Sequence, residues 1–283
     1  MKLGDYEFVF GCDPEVFLVR DGKPISAHDL IPGSKANPCP VPLGMMQPDG
    51  LAAEFGIKPV KTIQGWRSRI KKVMGTVEET VGKHGAQLLI KPSIDFDQKY
   101  YDALPDTAKE LGCDPDYNAY TGQTNPPPTT EGKAFRSGGG HVHIGWTKDV
   151  DPKHPDHFEA CVMLTKQLDL YLGVPSLVFD GDKRRRTLYG KAGAFRPKPY
   201  GMEYRTLSNA WLRDRSLMTF VFEQTEAAVR NLLEDDIPTY YNATNVERVI
   251  NQNETALAQF MCRRYEFNVP PPPAHLKRKK EAT

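Results

Sequence analysis

The chain of 283 residues, 39% hydrophobic and 26% charged, is long enough to bury a real core as one large domain or two small ones. An aromatic share of 10% with recurrent apolar periodicity excludes low-complexity disorder over most of its length, and no run approaches the ~20 apolar residues of a bilayer span. Lys and Arg number 37 against 36 Asp and Glu, which speaks against a surface that binds nucleic acid all round.

Strands come first. Phe8-Val-Phe and Val16-Phe-Leu-Val are apolar runs, and Asp21-Gly22 before Pro24-Ile predicts a hairpin, because glycine tolerates the positive φ of a tight turn. A Pro- and Gly-rich loop is expected from Pro32 to Gly50. Ile63, Trp66, Ile70, Val73, Val77 and Val81 recur at helical spacing and predict an amphipathic helix. Gln87-Leu-Leu-Ile-Lys reads as a short buried strand. From Tyr100 to Lys133 the chain is polar and loop-like, and a loop of that length is usually functional. Phe135 to Trp146 reads as a strand interrupted by Gly138-Gly-Gly. Phe158, Val162, Thr165, Leu168 and Leu172 mark a second helix.

A basic loop containing glycines is expected from Lys183 to Gly201, then a strand at Glu203-Tyr-Arg-Thr-Leu. Helical patterns follow over Leu217–Leu233 and Val246–Met261. Residues 1–268 are taken as a single domain and 269–283, with Pro270-Pro-Pro-Pro and Lys277-Arg-Lys-Lys, as a disordered basic tail. Strands and helices alternate without a βαβ series, so the class is α+β: an antiparallel sheet covered by helices. Gly11-Cys-Asp-Pro-Glu has one echo, Gly112-Cys-Asp-Pro-Asp, which is given little weight. The five scattered cysteines (Cys12, Cys39, Cys113, Cys161, Cys262) contain no Cys-x-x-Cys, and the expectation is reduced thiols in a cytosolic setting. The start, Met1–Glu7, shows no apolar signal-peptide run, in line with that expectation.

The chemistry is signalled by pairs spaced by two: Asp13-Pro-Glu15, His141-Val-His143 and Glu203-Tyr-Arg205. Residues i and i+2 of a strand share a face, so each pair projects two ionisable groups together. Acids buried on a sheet need partners, and a divalent cation serves several carboxylates and an imidazole. Glu54 is a further acid in an apolar setting, with Asp49 just before it. Alone, Glu203-x-Arg205 reads as two parallel solvated side chains rather than an internal ion pair. Gly138-Gly-Gly beside the histidines suits close approach of a phosphate. In the basic loop Arg186 and Arg196 are the better phosphate candidates, with Lys191 beside them, because guanidinium groups grip phosphate oxygens with two hydrogen bonds.

These residues resemble a known family. Cys12-Asp-Pro-Glu-Val-Phe-Leu-Val is similar to the first acidic strand of glutamine synthetase and glutamate–cysteine ligase-like enzymes. Ser137-Gly-Gly-Gly-His-Val-His-Ile-Gly resembles their Gly-rich His-x-His strand, and Gly201-Met-Glu-Tyr-Arg-Thr-Leu their late Glu-x-Arg strand. Order and length look most like the phage-type carboxylate–amine (COOH–NH2) ligases. The resemblance implies a curved antiparallel sheet lining a funnel with helices outside, and ATP-dependent ligation of a carboxylate to an amine through an acyl phosphate. It implies that Glu15 and Glu54 hold a metal near the substrate, and that Asp13, His141 and Glu203 hold the metal bridging the ATP phosphates. His143 and Arg205, with Arg196, would contact phosphoryl or carboxylate oxygens. Arg186, Lys191, Arg196, Gly139 and Gly140 would cradle ATP. The family's second acid of the middle segment is not obvious, Asp49 being a weak stand-in, and the opening acid is Asp rather than Glu.

Mg²⁺ is the expected metal, with Mn²⁺ allowed by the histidine. The partners expected are small-molecule or peptide carboxylates and amines and no membrane, with nucleic acid only through the basic tail. A homo-oligomer is compatible with the sequence, and the place is the cytoplasm, that of a host if phage-encoded. Two other readings are weighed: a non-catalytic descendant of the fold, and a two-histidine oxygenase, against which the surplus of acids and arginines stands.

Overall fold

A computed structural model of the chain describes residues 7–109, 116–126, 134–234, 239–242 and 245–271. Cys113, the first four residues of the second Gly-x-Asp-Pro echo and the tail from 272 lie outside the described residues. The strands are β1 (Val9–Cys12), β2 (Glu15–Arg20), β3 (Lys23–Ile25), β4 (Gly33–Ser34), β5 (Asn37–Val41), β6 (Gly44–Asp49), β7 (Ala52–Ile57), β8 (Gln87–Leu89), β9 (Ser93–Asp95), β10 (Tyr117–Asn118), β11 (Phe135–Ser137), β12 (Val142–Gly145), β13 (Ala194–Lys198) and β14 (Gly201–Tyr204). The helices are α1 (Ile63–Gly82), α2 (Gln98–Asp102), α3 (Asp106–Lys109), α4 (Pro155–Leu168), α5 (Val174–Phe179), α6 (Lys183–Leu188), α7 (Arg215–Glu234), α8 (Val246–Asn251) and α9 (Thr255–Arg264). The class is α+β, with antiparallel pairing throughout the named ladders.

Two open sheets matter for the site. One runs β1-β12-β14-β13-β10, and the other β3-β2-β7-β6-β5-β4 with β8 also on β2. They meet at Asp13-Pro14, where the chain leaves the first sheet after Cys12 and enters the second at Glu15. Proline has no N–H to give to a ladder, so the strand is interrupted there. The Pro14 carbonyl instead accepts the Phe55 N–H at 3.2 Å, and Phe10 and Val60 exchange backbone bonds of 2.7 and 2.8 Å across the same seam.

The Asp21-Gly22 hairpin forms with both residues at positive φ, 50° and 74°. Where the composition predicts a loop from Pro32 to Gly50, the chain instead forms β4, β5 and β6. Alternate residues of an antiparallel strand direct their N–H groups to one side, so Pro38 and Pro40 weaken only one ladder. Gln87–Leu89 is a strand as predicted, though exposed to half-buried rather than buried. The stretch from Tyr100 is not wholly loop: it holds the end of α2, then α3 and β10, which pairs with β13. The basic stretch Lys183–Gly201 is also ordered, as α6 and β13, because Asp182 caps the helix by accepting the N–H groups of Arg184 and Arg185. The pattern over Val246–Met261 splits into α8 and α9 at Asn253, whose φ of 54° no helix accommodates.

Helices cover the sheets: α1 lies on β6 and β7, and α4 on β13 and β14. Thr62 caps α1 by accepting the Gly65 N–H, and Trp66, Ile70, Val73, Val77 and Val81 are buried, as the periodicity predicts. Trp66 stacks on Trp211 with centroids 5.7 Å apart and donates to the Met218 carbonyl, tying α1 to α7. No described helix is long and apolar enough to cross a membrane. Ile70→Ala should cost about 2–5 kcal/mol, the usual penalty of truncating a buried aliphatic side chain. Glu78→Gln on the exposed face should stay within about 0.5 kcal/mol. Urea unfolding of the two variants checks this contrast.

Candidate active site

The site forms around the seam. Asp13, just past β1, faces His141, which immediately precedes β12, and His143 within it: its Oδ1 lies 3.4 Å from His141 Nδ1 and 2.9 Å from His143 Nε2. His143 stands opposite Glu203 in the β12–β14 register. One oxygen or nitrogen each from Asp13, His143 and Glu203 lies within 4.8 Å of the others, a donor set that could hold a metal ion. Buried Asp13 Oδ1 and His143 Nε2 face each other at 2.9 Å without the angles of a good hydrogen bond, which suits atoms turned toward a shared cation. The other nitrogen of His143 meets the Tyr200 hydroxyl, a bond that orients the ring.

Asp13 and Glu15 do not share one strand face as their spacing predicts. The break at Pro14 sends Glu15 into the second sheet, where it pairs with Glu54 on β7. Its Oε2 accepts the Gly139 N–H at 2.9 Å. Glu54 accepts from Gln47 Nε2 at 2.8 Å. Burial pushes Glu15 up to about 7, with Asp49 adding to the effect. Burial likewise raises Glu54 well above the usual carboxylate range, with Asp13, Asp49 and Glu15 all adding to it, and it raises Asp49. Asp49 therefore belongs to the same electrostatic cluster. These three carboxylates stand where a second cation would relieve them.

Across the seam the charges are reversed. Glu203 is 1% exposed and contacts Arg205, Lys198 at 3.0 Å and Arg196 at 3.4 Å. Burial would raise its pKa, yet Arg205, the two histidines and Lys198 hold it well below the ordinary range. The contact with Arg205, which lies just beyond the end of β14, is the internal ion pair that the spacing argues against. Burial and Arg205 push His141 down to about 4, so it is neutral. Burial would lower His143 as well, but Asp13 outweighs it and the net shift is upward.

Other expected residues sit elsewhere. Arg186 is buried in the core, 3.4 Å from Asp180 Oδ2 and 3.3 Å from Ser176 Oγ, because α6 turns successive arginines to different sides. Arg184 grips Asp95 outside, and Arg185 donates to the Thr206 carbonyl at 2.8 Å behind Arg205. No described contact joins the Lys191 amine to the site. Gly139 and Gly140 are not a phosphate cradle: their N–H groups go to Glu15 and to the Leu207 carbonyl. A Cβ on Gly139 would lie 2.3 Å from the His141 ring, and one on Gly140 2.2 Å from the Ser208 carbonyl. The glycines thus make room for the protein's own atoms.

Sequence reasoning gave Lys198 and Gln47 no role; Gln47 stands in register with Glu54, whereas Lys198 lies two residues past Arg196, the register partner of Glu203, and reaches that carboxylate along the strand. It also missed Asp116, whose Oδ2 accepts the Arg205 Nε–H at 3.3 Å. Asp116 is the last residue of the discounted Gly-Cys-Asp-Pro echo. A cavity of about 350 Å³ opens beside Asp13 and His143, between Gly11, Met45, Gly56, Lys58 and Tyr200.

The raised pKa of Glu15 has a testable sign. Its value climbs from 4.5 to about 7 on folding, so the folded state holds the extra proton in that window. Glu15 therefore adds stability below pH 4.5, and this is lost as pH rises to about 7, at up to about 1.4 kcal/mol per unit. Metal-free protein should lose less stability over that interval as Glu15→Gln, measured by urea unfolding.

The family described as "Phage phiEco32-like COOH.NH2 ligase-type 2" matches residues 133–258. No curated protein matches the chain. A solved structure titled "Crystal structure of novel glutamine synthase homolog" is similar at 10% identity and TM-score 0.38, over 92% of this chain and 66% of its own. Another, "Apo GmaS without ligand", is similar at 12% identity and TM-score 0.39, over 100% of this chain and 74% of its own. The segment that carries His141, His143, Glu203 and Arg205 is thus similar to the phage-type carboxylate–amine ligases, the family that the sequence motifs resemble.

Proposed function

We propose that the protein is an ATP-dependent carboxylate–amine ligase. The observation that carries this is the charge division at the seam. Three cations, Arg196, Lys198 and Arg205, crowd one carboxylate, Glu203, and face Asp13 and the histidines. The carboxylates Glu15, Asp49 and Glu54 gather on the other side. One half suits phosphate oxygens and the other suits cations, and a ligase that burns ATP needs both. A two-histidine oxygenase has no use for the three cations.

The residues divide the work as follows. Asp13, Glu203 and His143 would hold one Mg²⁺ or Mn²⁺, with His141 adjacent to the same Asp13 oxygen, and Glu15, Glu54 and Asp49 would hold another. Such cations, when bound, neutralise phosphate charge as the phosphoryl group moves. The cavity beside His143 would take the nucleotide's base. Arg205 and Arg196 would grip the oxygens of the moving group with paired hydrogen bonds. The substrate carboxylate oxygen attacks the γ-phosphorus and ADP leaves, giving an acyl phosphate. The amine then attacks the acyl carbon, phosphate leaves, and the nitrogen gives up a proton to form the amide. The low exposure of Glu203 and His141 keeps water from the charges that support these steps.

Mn²⁺ or Mg²⁺ with ATP should raise the melting temperature, by the equivalent of about 2.7 kcal/mol at a hundredfold excess over Kd. Glu203→Gln should abolish the shift and Glu78→Gln should leave it. Absence of any shift with millimolar ATP and either metal would overturn the proposal.

In a screen of amines and carboxylates for ADP release, Arg205→Lys should lower turnover about 10²-fold while ATP and metal still bind, since lysine keeps the charge but not the planar grip. His143→Ala should weaken metal affinity more than His141→Ala. The reverse order would return the ligand role to His141, as the family resemblance implies.

A further inference from the structure

Behind β14 lies a carboxylate that the proposed chemistry does not use. Asp169 is fully buried and opens the π-helical turn Asp169–Gly173 between α4 and α5. Its Oδ1 accepts the Tyr204 hydroxyl at 2.8 Å, and the Thr206 hydroxyl stands at 3.1 Å, between this oxygen and the Lys191 carbonyl at 3.0 Å. Its Oδ2 accepts the Gly193 N–H at 2.6 Å, and the Tyr120 hydroxyl is a further hydrogen-bond partner of the carboxylate.

Each of these partners belongs to a segment that holds Arg205. Tyr204 and Thr206 flank it in the chain and face away from it, toward the helices, as alternate residues of an extended segment do. Gly193 precedes Ala194, whose carbonyl accepts the Arg205 N–H at 2.9 Å. Tyr120 lies four residues after Asp116, the carboxylate on the Arg205 side chain at 3.3 Å. One buried group therefore gathers the strand end, the turn before β13 and the segment carrying Asp116. The local fold makes space for it. A Cβ on Gly173 would come within 2.9 Å of the Tyr204 hydroxyl and 3.3 Å of Asp169 Oδ1. A π-turn is a rare, locally unfavourable shape that is found chiefly where function requires it.

We propose that Asp169 is a positioning residue that fixes the Arg205 guanidinium at the reacting phosphate from the back of the sheet; this rests on the ligase reading for the role of Arg205. Asparagine at 169 keeps the size but replaces an acceptor by an NH₂ group. At least one of the converging donors is then left facing a donor. The backbone around Arg205 loses its common anchor, and a small misplacement of a group that grips a transferring phosphate is costly in rate.

The test compares wild type, Asp169→Asn, Arg205→Lys and, as a destabilised control on α1, which none of the contacts described for Asp169 and Arg205 involves, Ile70→Ala. The first readout needs no ligand: the Nε–H resonance of Arg205, assigned by its loss in Arg205→Lys. Asp169→Asn should shift it and speed its exchange with water about tenfold or more, while Ile70→Ala should leave it in place. Tyr204→Phe removes a single donor and should move the resonance in the same sense, which covers the case that Asp169→Asn does not fold. An Arg205 resonance unchanged in position and exchange in these variants overturns the proposal.

The second readout is the ratio of Mn²⁺–ATP to Mn²⁺–ADP affinity by calorimetry. Asp169→Asn and Arg205→Lys should lower it about tenfold, and Ile70→Ala should not. A preserved ratio in Asp169→Asn beside a lowered one in Arg205→Lys also overturns the positioning role. A wild-type protein that binds neither nucleotide defeats the ligase reading instead, and the resonance still decides whether Asp169 places Arg205.

Discussion

The interruption at Asp13-Pro14 is the constraint on which the site depends. An uninterrupted strand from Val9 to Arg20 would set Asp13 and Glu15 side by side on one face. Two buried carboxylates would then share one environment at a heavy electrostatic cost. Without an N–H at Pro14 the ladder cannot continue, and the strand changes sheets. Asp13 is left at the rim of the first sheet beside two imidazoles, while Glu15 opens the second sheet opposite Glu54. One residue without a donor thus sorts two acids into two electrostatic settings.

That sorting explains why neighbouring carboxylates move in opposite directions. Burial raises all of them, because taking a carboxylate from water penalises its charge. Glu203 and Asp13 have cationic or imidazole partners that more than offset this, and both fall. For Glu15, Asp49 and Glu54 burial outweighs the donors and cations nearby, and they rise. The second group is the one whose burial is left uncompensated by the protein itself. Such a cluster is a stored demand for positive charge, and it sits within reach of a guanidinium, Arg205, that pulls on Glu15 and Asp49 alike.

Much of the fold was legible because it rests on local rules. The Asp21-Gly22 turn, the five buried apolar positions of α1 and the order of the acidic, His-x-His and Glu-x-Arg strands each follow from spacing and residue type. What stayed hidden depends on contacts distant in sequence. Pro38 and Pro40 looked like loop residues because nothing local tells which side of a strand lacks a partner. Arg184, Arg185 and Arg186 read as one basic loop until the Asp182 cap wound them into a helix and sent each to a different carboxylate or carbonyl. Gly139 and Gly140 signalled close approach correctly, but the approaching groups are His141 and Ser208 rather than a ligand.

The histidines show most clearly where spacing stops being informative. The i,i+2 rule puts His141 and His143 on one face, and both do reach the same oxygen of Asp13. It says nothing of the second neighbour of each ring, and that neighbour separates them. His141 has Arg205 Nη1 at 3.5 Å, a cation that opposes any further positive charge and leaves the ring neutral. His143 has the Tyr200 hydroxyl on its far nitrogen, and the net pull of Asp13 raises its affinity for a proton. A ring whose Nε2 attracts a proton in a buried anionic setting is also a ring that attracts a metal ion, while a neutral ring pressed against a guanidinium is better placed to support the residues around it. The two rings are therefore told apart by residues distant in sequence, Arg205 beside His141 and Tyr200 beside His143, that no motif of adjacent residues contains.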